Sequence, residues 1–177
     1  NITFTAQWVE NTYNVTINSA TNGSVSVNKT EGIKANETVT LTISPNANYE
    51  LNSLVVKDAS NKDVTVTNNT FSMPSSNVTI SATFAQKLPT LVLTSGSANQ
   101  TVNVNAAIST IKYTASGSAA SIKVDGLPNG VTASVSGLVA TISGKPSEVG
   151  TFNFSVTATN NESKTTVLSG KIVVNAV

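Results

Sequence analysis

The side chains that could carry chemistry in this sequence are carboxylates, lysines, tyrosines and many hydroxyls, because the chain contains neither histidine nor cysteine. The absence of histidine removes the usual general base and the commonest metal ligand, and the absence of cysteine excludes disulfides and thiolate metal sites. A glycosidase needs two carboxyl groups held about 5 to 9.5 Å apart across a sugar cleft. The acidic residues instead stand singly, at Glu10, Glu31, Glu37, Glu50, Asp58, Asp63, Asp125, Glu148 and Glu162. This distribution predicts a protein that is not an enzyme and that uses no cofactor.

One polar stretch, Asp58-Ala-Ser-Asn-Lys-Asp63, brings two carboxylates close together in sequence and could offer oxygen ligands to calcium. It lacks the glycine and the distal glutamate of an EF-hand loop, and Lys62 adds a repulsive charge. Asp is also common in turns, where it accepts hydrogen bonds from its own backbone. We therefore predict a polar hairpin here and no metal site.

Aromatic rings at the surface could stack on sugars or pack against a partner, and Trp8, Tyr49 and Tyr113 are the candidate interaction residues. The same rings also fit the interior of the protein. Tyr13 begins an alternating segment on the same side as its apolar residues, and Tyr49 can be interpreted in the same way. Trp8 stands where a repeated segment ends, which favours packing at a junction between units.

The composition favours a folded β protein that binds neither nucleic acid nor a membrane. Hydrophobic residues make up 39% of the chain and charged residues only 11%, so Ser, Thr and Asn must form most of the surface. The net charge is +1 and the basic residues are scattered, whereas a nucleic-acid partner requires a concentrated basic face. No apolar run approaches the roughly 20 residues that a membrane span needs.

Alternating apolar and polar residues predict strands along the whole chain. In the first part the predicted strands are 13–17, 23–27, 39–43, 49–57, 64–66, 70–73 and 77–84. In the second part they are 91–93, 101–104, 108–114, 121–124, 131–135, 138–143, 151–158 and 167–174. Turn residues between the later strands have the spacing of a β-sandwich. The predicted fold is all-β, with two small antiparallel β domains in tandem, the second an immunoglobulin-like sandwich.

Two segments between these strands are expected to be open to proteases. Residues 86–89 form the predicted junction between the domains, and residues 115–120, Ala-Ser-Gly-Ser-Ala-Ala, are small and predicted to be flexible. Proteolysis is concentrated at such sites.

A short segment of the sequence occurs twice. Asn1-Ile-Thr-Phe-Thr-Ala-Gln-Trp8 has the pattern of Asn77-Val-Thr-Ile-Ser-Ala-Thr-Phe84. We therefore expect residues 1–8 to be the closing strand of a preceding repeat, residues 9–86 to form one domain and residues 87–177 another. The alternative is chance similarity among Thr-rich strands.

A closing strand without its own domain would expose apolar side chains to water, at about 25 cal/mol for each Å². We therefore expect residues 1–8 to pair along an edge of the first domain or with another molecule. Trp8 is expected to be substantially buried in that contact.

These segments resemble two families of bacterial modules. Residues 2–8 resemble the closing strand of the internalin B-type (Listeria–Bacteroides) repeat, which ends in Ala-Gln-Trp, and residues 13–84 resemble its divergent form. The features that carry this resemblance are Gly23-Ser-Val25, Asn36-Glu-Thr-Val-Thr-Leu41, Pro45-Asn-Ala-Asn-Tyr49, Phe71-Ser-Met-Pro74 and Asn77-Val-Thr-Ile80. Residues 89–177 resemble a bacterial immunoglobulin-like family, through Gly126-Leu-Pro-Asn-Gly130, Ile142-Ser-Gly-Lys-Pro146 and Gly150-Thr-Phe-Asn-Phe-Ser-Val-Thr-Ala158.

The resemblance implies non-catalytic structural or spacer modules of a bacterial secreted or cell-surface protein, either an adhesin or an accessory region of a polysaccharide-acting enzyme. It implies an extracellular or cell-surface location and partners among neighbouring modules of the same chain. The alternative is a module that binds carbohydrate or a host surface protein. These families supply no catalytic residues.

Overall fold

The computed structural model describes residues 7–177, and within this range the chain forms strands and turns without a helix. This confirms the predicted all-β class. The chain folds as two compact units, Asn1–Ala85 (unit 1) and Gln86–Val177 (unit 2). None of the described residues belongs to a helix that could cross a membrane.

The first eight strands form three small sheets. They are β1 (Thr12–Tyr13), β2 (Val15–Ile17), β3 (Gly23–Val27), β4 (Ile33–Lys34), β5 (Thr38–Pro45), β6 (Tyr49–Asp58), β7 (Thr70–Ser72) and β8 (Val78–Gln86). The strand orders are β1-β4, β2-β8-β6 and β3-β5-β7. The core contains side chains from all three sheets, and the largest fully buried ones are Ile33, Val39, Met73, Val78 and Ile80. Tyr13 packs against this core, as its position in the alternating segment predicts.

Unit 2 contains eight strands in two four-stranded sheets. They are β9 (Thr90–Ser95), β10 (Asn99–Asn103), β11 (Ile111–Ser116), β12 (Ala119–Asp125), β13 (Val131–Ser136), β14 (Val139–Gly144), β15 (Gly150–Asn160) and β16 (Thr165–Asn175). The orders are β13-β14-β11-β9 and β10-β16-β15-β12. In immunoglobulin notation β9, β11, β14 and β13 take the places of strands A, B, E and D, and β12, β15 and β16 those of C, F and G. The predicted immunoglobulin-like sandwich is therefore present.

Two aromatic rings join the sheets of unit 2 across its core. Tyr113 on β11 and Phe154 on β15 are almost fully buried, and their ring centroids lie 6.5 Å apart in an edge-to-face arrangement. These strands correspond to B and F, which a disulfide links in antibody domains. The Phe154 ring lies directly over Gly170 of β16, where a Cβ atom would come within 2.2 Å of Cζ. In a chain without cysteine, this ring pair connects the two sheets.

The Tyr113 hydroxyl lies in the core, and none of the described residues makes a hydrogen bond to it. Burial raises the pKa of Tyr113 above its ordinary value near 10 because the phenolate is desolvated. An unpartnered buried hydroxyl costs about 1–3 kcal/mol. We therefore expect Tyr113→Phe to raise the free energy of unfolding of unit 2 by about 1 kcal/mol, measured by urea titration at neutral pH.

The same substitution should change the response to alkali. An unfolded tyrosine loses its proton near pH 10, while the folded one holds it to higher pH, so the wild type loses stability as pH rises from about 10. The Tyr113→Phe variant lacks this contribution, and its advantage should widen over that interval. If the Tyr113→Phe variant is less stable than wild type at every pH, the Tyr113 hydroxyl makes a stabilising hydrogen bond in the folded protein.

Two of the three motifs that carry the immunoglobulin-like resemblance, 126–130 and 142–146, are hydrogen-bonded to each other. The backbone N–H of Lys145 donates to the carbonyl of Gly130 at 2.9 Å, and the N–H of Ser147 donates to the carbonyl of Asn129 at 2.9 Å. The N–H of Asn129 donates to Oε1 of Glu148 at 3.2 Å. Their separation in sequence therefore reflects the length of the β13–β14 hairpin, which brings its two ends together.

Several strand-level expectations need correction. Residues 64–66 are not a strand, and β11 begins at Ile111 and not at residue 108. The two-residue strand β4 was not predicted, because so short a strand shows no alternation. The stretch 115–120 is not a flexible segment, since it contains the end of β11, a turn at 117–118 and the start of β12. The small side chains of this stretch suit a tight turn from one sheet to the other.

Both domains are mainly antiparallel, as predicted, but two strand pairs depart from this pattern. Strand β2 pairs with β8 in parallel, and β10 pairs with β16 in parallel. Alternation reports which residues face the core, and it is the same for both pairing directions. The direction is set by how the chain crosses each core.

Candidate functional site

The structure separates the three aromatic residues proposed for interaction. Tyr113 is 1% exposed, so its ring is not available to a partner, and that assignment was wrong. The reason is its position on β11, where it shares the inner face with Ile111 and Ala115. Tyr49 begins β6 and is half-buried, while Trp8 is 93% exposed. An interaction role for Trp8 and for Tyr49 stays a prediction.

The expected packing of Trp8 along an edge of unit 1 is not found. Phe84, the counterpart of Trp8 in the repeat, is buried with its ring against Gly23, where a Cβ atom would lie 2.7 Å from the ring. The position that a closing aromatic takes in this unit is therefore already filled by the chain's own strand. The rest of the repeated segment, residues 1–6, lies outside the described residues.

The Asp58–Asp63 stretch forms the predicted polar hairpin. Oδ1 of Asp58 accepts hydrogen bonds from the backbone N–H groups of Ser60 and Lys62, both at 2.9 Å. Asn61 has a positive φ of 63°, and an ion pair of 2.7 Å joins Lys57 to Asp63 across the strand ends. The carboxylates are thus engaged with the backbone and with a lysine. Among residues 7–177 no group of three or more acidic, histidine or cysteine side chains is placed to hold a metal ion.

The hairpin between β15 and β16 repeats this turn with a different first residue. Oδ1 of Asn160 accepts from the N–H groups of Glu162 and Lys164 at 3.0 and 2.9 Å, and Ser163 has a φ of 61°. Asn160 is only 4% exposed, and its Nδ2 donates to the carbonyl of Lys87 at 2.9 Å. The amide group therefore closes its own turn and also holds the segment that begins unit 2.

Other side chains of unit 2 bind the same segment, and we call this arrangement the 86–89 clasp. Side chains of Lys164, Ser118 and Thr166 donate to the carbonyls of Gln86, Lys87 and Pro89 respectively. The carboxylate of Glu162 accepts from the N–H of Gln86 at 3.1 Å. Since a protease must bind an extended, unpaired backbone, the clasp argues against the expected cut at 86–89.

The two related turns predict losses of stability of very different size when Asp and Asn are exchanged at their first residue. Asp58→Asn should change stability by less than about 0.5 kcal/mol, because Asn160 shows that an amide oxygen serves this turn. Asn160→Asp should cost about 2–3 kcal/mol, because it removes the donor to Lys87 and buries a charge. Chemical denaturation of both variants measures the difference, and equal losses would show that the Lys87 contact contributes nothing.

An open groove of about 430 Å³ lies on the outer face of the β10-β16-β15-β12 sheet. Its rim carries oxygen atoms of Asp125, Asn153, Ser155 and Ser169. Its floor is backbone, because the side chain of Phe154 points into the core. Lys123 pairs with Asp125 at 2.8 Å. Such a groove could accept hydrogen bonds from a small polar ligand, but it offers no aromatic face for stacking.

Charged groups elsewhere serve local structure. The N–H of Lys34 and the ammonium of Lys29 donate to the Glu37 carboxylate, and they hold the pKa of Glu37 below its ordinary value. The ionised Glu37 carboxylate therefore contributes to stability at pH values above its ordinary pKa. This contribution is lost as the pH falls through the lowered pKa of the folded state. A hydrogen bond to Glu10 raises the pKa of Lys34. The contribution of the Lys34 ammonium to stability is therefore lost only at strongly alkaline pH. Both groups are solvent-exposed, which makes these effects small.

Comparison with known proteins follows the division into units. Residues 13–88 match the family described as Divergent InlB B-repeat domain, and residues 87–175 match the family described as Putative Ig domain. These matches confirm the resemblances drawn for residues 13–84 and 89–177. The resemblance drawn for residues 2–8 lies outside both matches and stays a prediction. No curated protein is significantly similar to the chain in sequence.

Similar solved structures include three bacterial proteins. The BIgI domain of beta protein from S. agalactiae, bound to CEACAM1, is 15% identical, with 50% of this chain and 99% of that chain covered and a TM-score of 0.37. Domains 4 and 5 of the S-layer protein SbsC are 11% identical, with 86% and 98% covered and a TM-score of 0.37. The CbhA fibronectin(III)-like modules of Clostridium thermocellum are 18% identical, with 86% and 95% covered and a TM-score of 0.33.

All of these TM-scores are below 0.5, and the assignment therefore stands on the two sequence families. The second match covers half of the chain, and its limits agree with those of unit 2. The chain belongs to the Putative Ig domain family through residues 87–175, which follow a divergent InlB B-repeat domain at residues 13–88.

Proposed function

We propose that this chain is a pair of non-catalytic structural modules in a bacterial secreted or cell-surface protein. Its role is to hold a neighbouring part of the same polypeptide at a distance from the surface. The observation that carries the proposal is that each unit buries most of its apolar side chains in a core of its own. The Asp58 and Asp63 carboxylates are engaged in a turn and in a surface ion pair.

The outer faces of the unit 2 sheets support this role. On β15 the outward positions are Thr151, Asn153, Ser155, Thr157 and Thr159, and on β14 they are Val139, Thr141 and Ser143. Most of these side chains are Thr, Ser or Asn, so the listed positions form no strongly apolar or charged patch. A surface of this kind suits a module that must stay soluble outside the cell.

The test is replacement in the bacterium that makes the protein. Residues 13–175 are exchanged for two unrelated β-sandwich domains with the same total number of residues, and a second strain carries a deletion of this region. A structural role predicts that the exchange preserves the function of the rest of the protein while the deletion impairs it. If exchange and deletion are equally harmful, the modules contribute a specific contact.

A binding module is the second candidate, and the groove at Asp125 and Ser169 is the observation in its favour. Its polar rim suits hydroxyl groups of a carbohydrate. Titration with a panel of glycans, followed by NMR on Asn153 and Ser155, would show saturable shifts that Asp125→Ala removes. If no glycan shifts these two resonances, the groove is not a glycan site, and shifts that persist in the variant would show that Asp125 does not bind the glycan.

A further inference from the structure

An early strand and the final strand of each unit lie side by side and run in the same direction. In unit 1, Val15–Ile17 of β2 pair with Val78–Ile80 of β8. In unit 2, Asn99–Asn103 of β10 pair with Lys171–Asn175 of β16. Two domains from different families therefore share one arrangement of the strands that connect them to the rest of the chain.

Hydrogen bonds at both ends define the ladder of unit 2. The N–H of Lys171 donates to the carbonyl of Ala98, and the N–H of Val104 donates to the carbonyl of Asn175, both at 2.9 Å. In a parallel ladder every second residue of a strand bonds the neighbour. The N–H groups of Gln100 and Val102 consequently face β16, and those of Asn99, Thr101 and Asn103 face away.

The shorter ladder of unit 1 is extended by asparagine side chains. The N–H of Val78 donates to the carbonyl of Asn14, and the N–H of Asn18 donates to the carbonyl of Ile80, both at 2.9 Å. Oδ1 of Asn77 accepts from the N–H of Asn14, and Nδ2 of Asn18 donates to Oγ of Ser81. Side chains thus add bonds beyond each end of a three-residue pair.

The parallel direction determines how tension acts on these bonds. Pulling on the two ends of the chain draws β10 toward its start and β16 toward its end, so the strands must slide past each other lengthwise. Every hydrogen bond between them then carries part of the force, and all must fail together. If the same strands were pulled apart from one end, the bonds would fail one after another.

From this geometry we infer that each unit is a mechanical clamp, which resists unfolding when the chain is stretched between its ends. The inference deepens the proposed function, since a module between a cell and its target transmits tension. Forced unfolding is governed by the unfolding rate and not by equilibrium stability. The clamp therefore adds resistance that a denaturant titration does not report.

Side chains support the clamp of unit 2. The amide of Gln100 donates to the carbonyls of Ser97 and Ser109 and accepts from the N–H of Ser109, which fixes β10 to the neighbouring loop. Force entering from Gln86 meets the 86–89 clasp and the β9–β11 ladder before it reaches β10. We therefore expect the clasp and β9 to detach first, followed by the main rupture at β10–β16.

The test is single-molecule stretching of the full chain through handles at its two ends. At about 3.6 Å for each residue, early detachment of residues 86–98 releases about 50 Å, and the main rupture of residues 99–175 releases about 280 Å. Residues 12–85 of unit 1 release about 270 Å, so the two main events have nearly equal lengths and the unit 2 event is the one whose force changes in unit 2 variants. Val102→Pro removes a donor to β16 and should lower the rupture force of unit 2. Thr101→Pro removes an N–H that faces away, and Val102→Ala controls for lost packing; both should retain most of that force.

A second measurement tests the direction of force without weakening the fold. Because the chain has no cysteine, handles can be attached through Asn99→Cys and Lys171→Cys, which lie opposite each other at the same end of the ladder and are both exposed. Pulling there should open unit 2 at a several-fold lower force than pulling at the chain ends. Equal forces in the two directions, or equal losses in Val102→Pro and Thr101→Pro, would overturn the clamp. The exchange experiment on the proposed function is unaffected by either outcome.

Discussion

Phe154→Ala is expected to destabilise unit 2 by about 3–5 kcal/mol. The ring is 2% exposed, meets Tyr113 edge to face and lies over Gly170. Truncation removes the buried apolar area and leaves a cavity between the two sheets, and the aromatic pair contributes about 0.5–1.5 kcal/mol beyond burial. Since small domains are stable by about 5–15 kcal/mol in total, the loss takes a large part of the stability of unit 2.

Phe152→Ala is the matched control, because Phe152 lies two residues earlier on the same face of β15 and is only partly buried. The measurement is urea unfolding read by hydrogen exchange in β15 and β16, which reports unit 2 separately. Phe154→Leu should recover part of the loss. If Phe154→Ala costs no more than Phe152→Ala, the ring pair does not hold the sheets together.

Gly130→Ala is expected to cost about 3 kcal/mol or more, through two additive effects. Gly130 has a φ of +84°, which costs an alanine about 1–2 kcal/mol. Its new Cβ would also lie 2.1 Å from the carbonyl oxygen of Lys145. That oxygen belongs to backbone, so relief requires the two ends of the β13–β14 hairpin to separate and strains the Lys145–Gly130 hydrogen bond.

The control for this glycine is Gly137→Ala in the turn of the same hairpin. Gly137 has a φ of +57°, but nothing lies within 4 Å of its added Cβ. Its substitution should therefore cost only the conformational term, about 1–2 kcal/mol. The difference between the two variants in chemical denaturation measures the backbone overlap. Equal costs would mean that the motif is needed for its φ angle alone.

Local sequence patterns predicted the strands because burial on one face of a sheet imposes a period of two residues. The segment 23–27 was predicted with its correct bounds, and Val39 and Leu41 face the core as the alternation of β5 requires. Asn22 has the positive φ that the Thr-Asn-Gly turn predicts. The Asp58 hairpin followed from the tendency of Asp to accept hydrogen bonds from its own turn.

The candidate interaction residues were less predictable, because exposure depends on which elements cover a side chain. Tyr113 was proposed as a surface aromatic although it shares one side of β11 with Ile111 and Ala115, and that side faces Phe154 in the opposite sheet. The groove at Asp125 and Ser169 arises from residues on three strands that are neighbours only in the sheet. The 86–89 clasp likewise depends on residues more than 70 positions away, such as Asn160.

By itself the sequence determined an all-β chain with two units of known family type, because strand periodicity, turn residues and family motifs are local. Only the tertiary structure decided that β2 with β8 and β10 with β16 run in the same direction. Alternation specifies which face of a strand is buried and carries no information on its neighbour or on the direction of pairing. Those features are set by the path of the chain around each core, and the proposed resistance to tension depends on them.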